Sequence, residues 1–328
     1  MTLPAAATIL RTVGTGALIF VLAPAVDAQQ LPDSAFRPPV PRPAFASGSG
    51  PRLCLDEAHN NFHTLDNRFW AFGELARRDG YRVSPLRAAF TATALAPCDL
   101  LVISNAQWKA GEWDSYPYPT PSAFNDAEIA AARAWVEQGG RLLLIADHMP
   151  LAGSAAKLAA AFGAQFTDGF AYKGFPPGSD DATMDAAMGQ PTIFTSGDGT
   201  LALHPITRGR DSTERVTQVR SFTGQAFRLD LLGAAPVLVL PADFISLEPR
   251  VAWQFASTTP IRRVGGWLQG ATVRVGRGRV ALFGEAAMFS AQVAGPNRNP
   301  MGMNAPMAEQ NARFALNTLH WLSGLIDP

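Results

Sequence analysis

One segment of this chain can be buried in only one way. Leu142-Leu143-Leu144-Ile145-Ala146 follows Gly139-Gly140 and reaches Asp147 without a single polar side chain. A strand presents alternate side chains to opposite faces, so an unbroken apolar run has no face to give to water and is covered on both. Strands of this kind belong to parallel sheets flanked by helices, and the neighbouring sequence keeps the matching rhythm. Strand-like runs at Arg52 to Asp56, Tyr81 to Pro85, Asp99 to Asn105 and Arg141 to Asp147 alternate with helix-period segments at Leu65 to Arg78, Asp126 to Gln138 and Leu151 to Phe162. The expectation is an α/β fold with a mostly parallel, flavodoxin-like sheet sandwiched between helices.

Other parts of the chain are less regular. The first 28 residues read as a cleavable signal peptide, with Arg11, an apolar core from Val13 to Val26 and the small-residue site Val26-Asp27-Ala28. That core falls short of the roughly 20 residues a bilayer span needs, so no stable membrane anchor is expected after cleavage. Residues 29–50 have the Pro, Ser and Gly content of a linker. One domain is expected over 51–328, with a loop-rich insertion near 167–215, where periodicity fades. Near the end, Ala271 to Val275, the turn Gly276-Arg277-Gly278 and Arg279 to Glu285 read as a hairpin before a helix from Ala308 to Ser323, anchored by Trp321 and Leu325.

Lys plus Arg equals Asp plus Glu at 27 each, and no basic stripe carries interleaved aromatics, so nucleic acid is not an expected partner. The chain has two cysteines, Cys54 and Cys98. They read equally as a bridge formed in an oxidising compartment or as two buried thiols, without a C-x-x-C or zinc pattern.

A parallel sheet points the carboxyl ends of its strands to one edge, where open α/β folds bind ligands. Sorted by that rule, the sequence sends Asp56, Glu57, His59, Asn60 and His63 to the edge after the first strand, Asn105 after the third, Asp147 and His148 after the fourth, and Glu285 after the last. Asp56 and Asp147 would lie about 10 Å apart at ~4.8 Å per strand. Three chemistries fit such a group. His59, His63 and His148 with a carboxylate could hold a divalent metal; two carboxyls of different pKa could act as acid and base; or the cluster could bind a polar ligand such as a sugar. Each acidic residue also has a structural use, Asp147 as a cap for the following helix and Asp56 as an anchor for its own loop. No phosphate loop accompanies Asp56-Glu57-Ala58-His59, and no nucleophile elbow follows any strand.

The segments LCLDEAHNNFHT, DLLVISN, WVEQGGRLLLIADHMPLAG, HPITRG and GRVALFGEAAMFSAQ, with NARFALNTLHWLSG, together resemble an uncharacterised bacterial family, DUF 4350-like. It belongs to the class I glutamine amidotransferase-like superfamily, near the trehalose-utilisation (ThuA-like) proteins. The resemblance spans Pro51 to Leu325. It implies a three-layer α/β/α sandwich and a link to carbohydrates. True amidotransferases carry an elbow cysteine and a downstream H-x-E, and this chain has neither, so glutamine hydrolysis is not expected. What is expected is an exported, periplasmic or secreted domain that binds, and can hydrolyse, a small polar, carbohydrate-derived ligand. Asp56, Glu57, His59, Asp147, His148 and Glu285 would be its catalytic candidates. Asn60, His63, Asn105, Trp108, Asn304 and Gln310 would be the binding contacts, with residues 106–121 as a lid. The alternatives are a metal-dependent hydrolase and a non-catalytic interaction module. No cofactor is expected beyond such a divalent metal.

Overall fold

The computed structural model describes residues 19–20, 30–175, 179 and 181–327. The expected signal peptide lies outside the described residues except for Ile19–Phe20, which pair with Phe255–Ala256. Among the described residues no helix is long and apolar enough to cross a membrane.

The architecture is mixed α/β, built on a nine-stranded sheet. Its strands are β1 (Arg52–Asp56), β2 (Arg82–Leu86), β3 (Leu100–Ser104), β4 (Arg141–Ile145), β5 (Ala164–Phe166), β6 (Phe227–Leu229), β7 (Ala235–Val239), β8 (Leu268–Val275) and β9 (Gly278–Phe283). The spatial order is β2-β1-β3-β4-β9-β8-β6-β5, with β7 also pairing β8. From β2 to β9 the pairs are parallel; beyond β9 they are antiparallel. The expected mostly parallel sheet is thus corrected to a mixed one. Gly276-Arg277 makes the difference, because a two-residue turn can join only antiparallel neighbours.

Alternate strand residues enter two separate cores. Leu53, Val102, Leu143 and Ile145 meet Phe72 and Leu75 of α1 (Trp70–Arg78) and Phe314 of α4 (Asn311–Ser323). Leu101, Ile103, Leu142 and Leu144 meet Val136 of α2 (Asp126–Glu137) and Leu158 of α3 (Leu151–Ala161). All four of Leu142–Ile145 are fully buried, as an apolar run with no solvent face requires.

Some boundaries shift for local reasons. Helix α1 starts five residues later than periodicity places it, because residues 64–66 find other partners. Thr64 donates to Asp66, and the Leu65 N–H is taken by Glu57 Oε1 at 2.9 Å. Helix α2 starts at a capping box of Asn125 and Glu128. The Pro-rich segment does not hang free: Leu31–Pro32 pair with Gln292–Val293, and Phe36, Val40 and Phe45 pack on the core. Proline spacing hid those three apolar anchors. The segment expected to be loop-rich also holds regular elements, including Phe170–Lys173, Thr192–Thr195, Asp181–Met188 and Pro205–Arg208. Trp321 is buried as expected, whereas Leu325, past the left-handed Gly324 that ends α4, is 40% exposed.

Cys54 and Cys98 form a disulfide that ties β1 to the turn leading into β3 across 44 positions of sequence. Closing a loop of that length in the unfolded chain is the main source of its stabilisation, about 2–4 kcal/mol. The paired substitution Cys54→Ala/Cys98→Ala should lower the unfolding free energy in urea by that amount. A loss under about 1 kcal/mol would show that the bridge constrains little.

Candidate functional site

The polar residues gathered at the carboxyl edge separate into two groups with different chemistry. The first is closed. Asp56, fully buried at the end of β1, has both carboxylate oxygens 2.9 Å from His59 Nδ1, and accepts N–H donors from Ala58 and Asn61. The other imidazole nitrogen, Nε2, lies 2.9 Å from Glu128 Oε1. With a carboxylate at each nitrogen, both nitrogens donate and the ring is an imidazolium. Burial between the Phe90 and Phe124 rings opposes that charge, but Asp56 and Glu128 outweigh it and raise the pKa of His59. The chain Asp56–His59–Glu128 therefore pins the loop after β1 to the first turn of α2, leaving neither nitrogen for a metal or substrate.

His63 is equally enclosed. Its Nδ1 is 2.8 Å from Ser104 Oγ, its ring stacks on Phe69, and burial with the nearby Arg68 pushes its pKa down to about 3. His148 directs Nδ1 to its neighbour's carbonyl, Met149 O, at 2.7 Å. The three histidines face three different environments, and among the described residues no group of three or more His, Cys, Asp or Glu can hold a metal ion. The metal-binding alternative thus loses its ligand set.

Other expected contacts also have structural partners. Glu57 holds Leu65 and Arg87; Asn304 donates to Asp33 and to Gln292 O; Gln310 accepts the N–H groups of Thr217 and Gln218. Asn60 is exposed, and Trp108 turns edge-on to Tyr116 and solvent. In the lid, Trp113 Nε1 donates to Gln107 and the Tyr116 hydroxyl to Lys109 O, so the segment is pinned from within.

The second group centres on Asp147, which is only partly buried. Asp147 follows β4, and its N–H is held at 2.9 Å by the side chain of Asn105, itself in a left-handed conformation (φ 51°) at the end of β3. Glu285 follows β9, the strand beside β4. Its carboxyl is buried and accepts the N–H groups of Ala287 (2.6 Å) and Met288 (2.9 Å). Burial, and then the negative charge of Asp147, raise its pKa well above the usual carboxyl range. Gly224, at φ +97°, lets the 223–225 backbone close on Gly284 and Glu285; a Cβ there would meet Gly284 O. Tyr172 adds a hydroxyl, close enough for the Asp147 charge to raise its pKa along with burial.

An aromatic wall adjoins this pair. The His148 ring stacks on Phe170 at 4.6 Å and meets Trp253 at 4.6 Å and Trp113 at 5.9 Å. Trp253 holds φ at 65°, a costly conformation for a bulky side chain, and remains 38% exposed. Neither Trp253 nor Tyr172 was expected at the site. Both come from the segments without clear periodicity, and no spacing in the sequence ties them to Asp147. Glu128, the partner of His59, was not expected at the edge either.

No family model matches the chain, and no curated protein matches it. Among solved structures it is similar to the mmIFT52 N-terminal domain, at 12% identity and a TM-score of 0.54, over 83% of this chain and 97% of that one. The likeness is one of fold. A putative ThuA-like protein from Bacteroides uniformis is also similar, at 10% identity and a TM-score of 0.44, over 86% of this chain and 95% of that one. The exo-β-1,4-mannosidase Op5Man5 from an Opitutaceae bacterium matches at 12% identity and a TM-score of 0.39, over 85% of this chain. This chain spans 36% of the mannosidase's length. The last two overlaps are too loose to carry an argument.

His59 and His63 give stability opposite dependences on pH. The folded pKa of His59 is raised, so its contribution is complete below about pH 6.5 and lost as pH rises through the folded value. The depressed pKa of His63 works the other way, removing stability as pH falls from about 6.5 toward 3. Melting temperature should decline on the alkaline side, and the decline should be shallower in His59→Gln. Identical alkaline slopes in the two proteins would remove the imidazolium from this role.

Proposed function

We propose that this is an exported, ThuA-like domain of the class I glutamine amidotransferase-like, three-layer α/β/α kind that binds a small polar, carbohydrate-derived ligand at Asp147 and Glu285. The observation that carries the reading is the buried Glu285 carboxyl beside Asp147 on the adjacent strand, its pKa raised by burial and by that neighbouring charge. A carboxyl of raised pKa paired with a second carboxylate is the arrangement that acid–base hydrolysis uses, and hydrolysis is the reaction class proposed for it. Glu285 would give its proton to a leaving oxygen while Asp147 takes one from water. The half-exposed Trp253 and the Trp113 ring suit the apolar face of a sugar, and the polar pair suits its hydroxyls. The Cys54–Cys98 disulfide supports a periplasmic or secreted location, because such bridges persist in oxidising compartments.

One observation favours a non-catalytic interaction module instead. Each strand-end carboxylate accepts a backbone N–H from its own loop: Asp56 from Ala58, Asp147 from His148, and Glu285 from Ala287 and Met288. A melting-temperature screen of neutral and acidic mono- and oligosaccharides separates the readings, since a ligand that binds only the folded form raises the transition. Ligand binding predicts at least one sugar whose shift in the wild type is lost in Asp147→Asn. If no sugar moves the wild type more than the variant, the interaction module stands.

A further inference from the structure

Most half-buried arginines in this protein are paid for with a carboxylate. Arg210 and Arg313 share Glu214, Arg52 holds Asp99, and Arg279 holds Asp327. Arg68 is different. It lies just before α1, in the segment that follows the carboxyl end of β1, and burial lowers its pKa with no carboxylate acting against that effect. Its Nη1 donates to Phe62 O at 3.1 Å and its guanidinium lies over the Phe62 ring at 3.8 Å. Nε is buried with no acceptor, and among the described residues Nη2 has none either. The nearby acid, Asp66, is exposed and engaged by Thr64.

Nε is closed off from solvent, so Nη2, which is not, is the nitrogen through which the guanidinium can meet an anion. Phe62, under Arg68, also touches Trp113 at 5.3 Å, and Trp113 reaches the His148 ring beside Asp147. A line of aromatic surface thus joins the unpaired cation at the end of β1 to the carboxyl pair at the ends of β4 and β9. β1 and β4 are separated by β3, so the line spans about 10 Å, the length of one to two sugar rings.

We infer that the ligand of this edge is an acidic saccharide whose carboxylate is received by Arg68 while its rings lie along Phe62 and Trp113 toward Asp147. The inference rests on the ligand-binding reading above and adds the charge of the ligand. An anion at Arg68 supplies the counter-charge that the chain itself lacks, and keeps its own charge two strands away from Asp147.

The test compares di- and trigalacturonic acid with their neutral galactose counterparts by calorimetric titration of the wild type, Arg68→Gln, Arg68→Lys and Asp147→Asn. Circular dichroism of each unliganded variant confirms its fold. The acidic saccharides should bind the wild type at least ten-fold more tightly than the neutral ones. Arg68→Gln should lose about ten- to a hundred-fold for the acidic set alone, and Arg68→Lys, which keeps the charge, should recover part of it. Equal binding of acidic and neutral saccharides, unchanged in Arg68→Gln, overturns the inference and leaves the polar site intact. Binding of neither set overturns both. If Arg68→Gln does not fold, selective loss of acidic binding in Arg68→Lys supports the inference, and its absence counts against it.

Discussion

The burial of β3 and β4 on both faces is the constraint from which the rest follows. Their side chains fill two cores at once, so neither strand has room for a polar group along its length. Polar side chains brought in by these strands emerge only at the ends, and parallel pairing directs the carboxyl ends to one side. Asn105, Asp147 and Glu285 are neighbours because they follow directly on the ends of three adjacent, largely apolar strands. The site is thus a product of the packing, and its floor is as rigid as the core beneath it.

Rigidity and charge are linked in the loop after β1 as well. A buried carboxylate alone would be expensive, and Asp56 is tolerated because His59 supplies a cation that Glu128 stabilises from the far side. The chain of three charges gives a long polar loop one conformation. It also explains why acid residues near a ligand edge need not be catalytic: Asp56 and His59 have filled their hydrogen-bonding capacity with each other, whereas burial and the Asp147 charge raise the pKa of Glu285.

The parallel half of the sheet was legible in the sequence because each strand announced itself by composition. Continuous apolar runs and Gly139-Gly140 set elements to within a few residues. The position of the edge residues followed from topology. What the sequence withheld were relations between distant segments. Nothing in the run PPVPRPAF shows that Phe45 packs on Tyr81, and nothing near Trp253 indicates His148. The choice among histidine roles depended on which partner each ring nitrogen met, and those partners, Glu128, Ser104 and Met149 O, come from other elements or from the backbone. Arg68 reads as an ordinary member of a helix pattern until its missing counter-ion is seen.

The strand carrying Glu285 occupies an unusual place in the sheet. β9 pairs parallel with β4 through residues 279–283 and antiparallel with β8 through 278–283, so two ladders of opposite sense fix its register. A slip of one residue would turn every side chain to the other face and would have to be matched on both sides together. Glu285 is doubly indexed, and errors in one ladder are corrected by the other. The loops of the antiparallel half can lengthen or diverge over evolutionary time, and so reshape what the site admits, without displacing the acid at its centre.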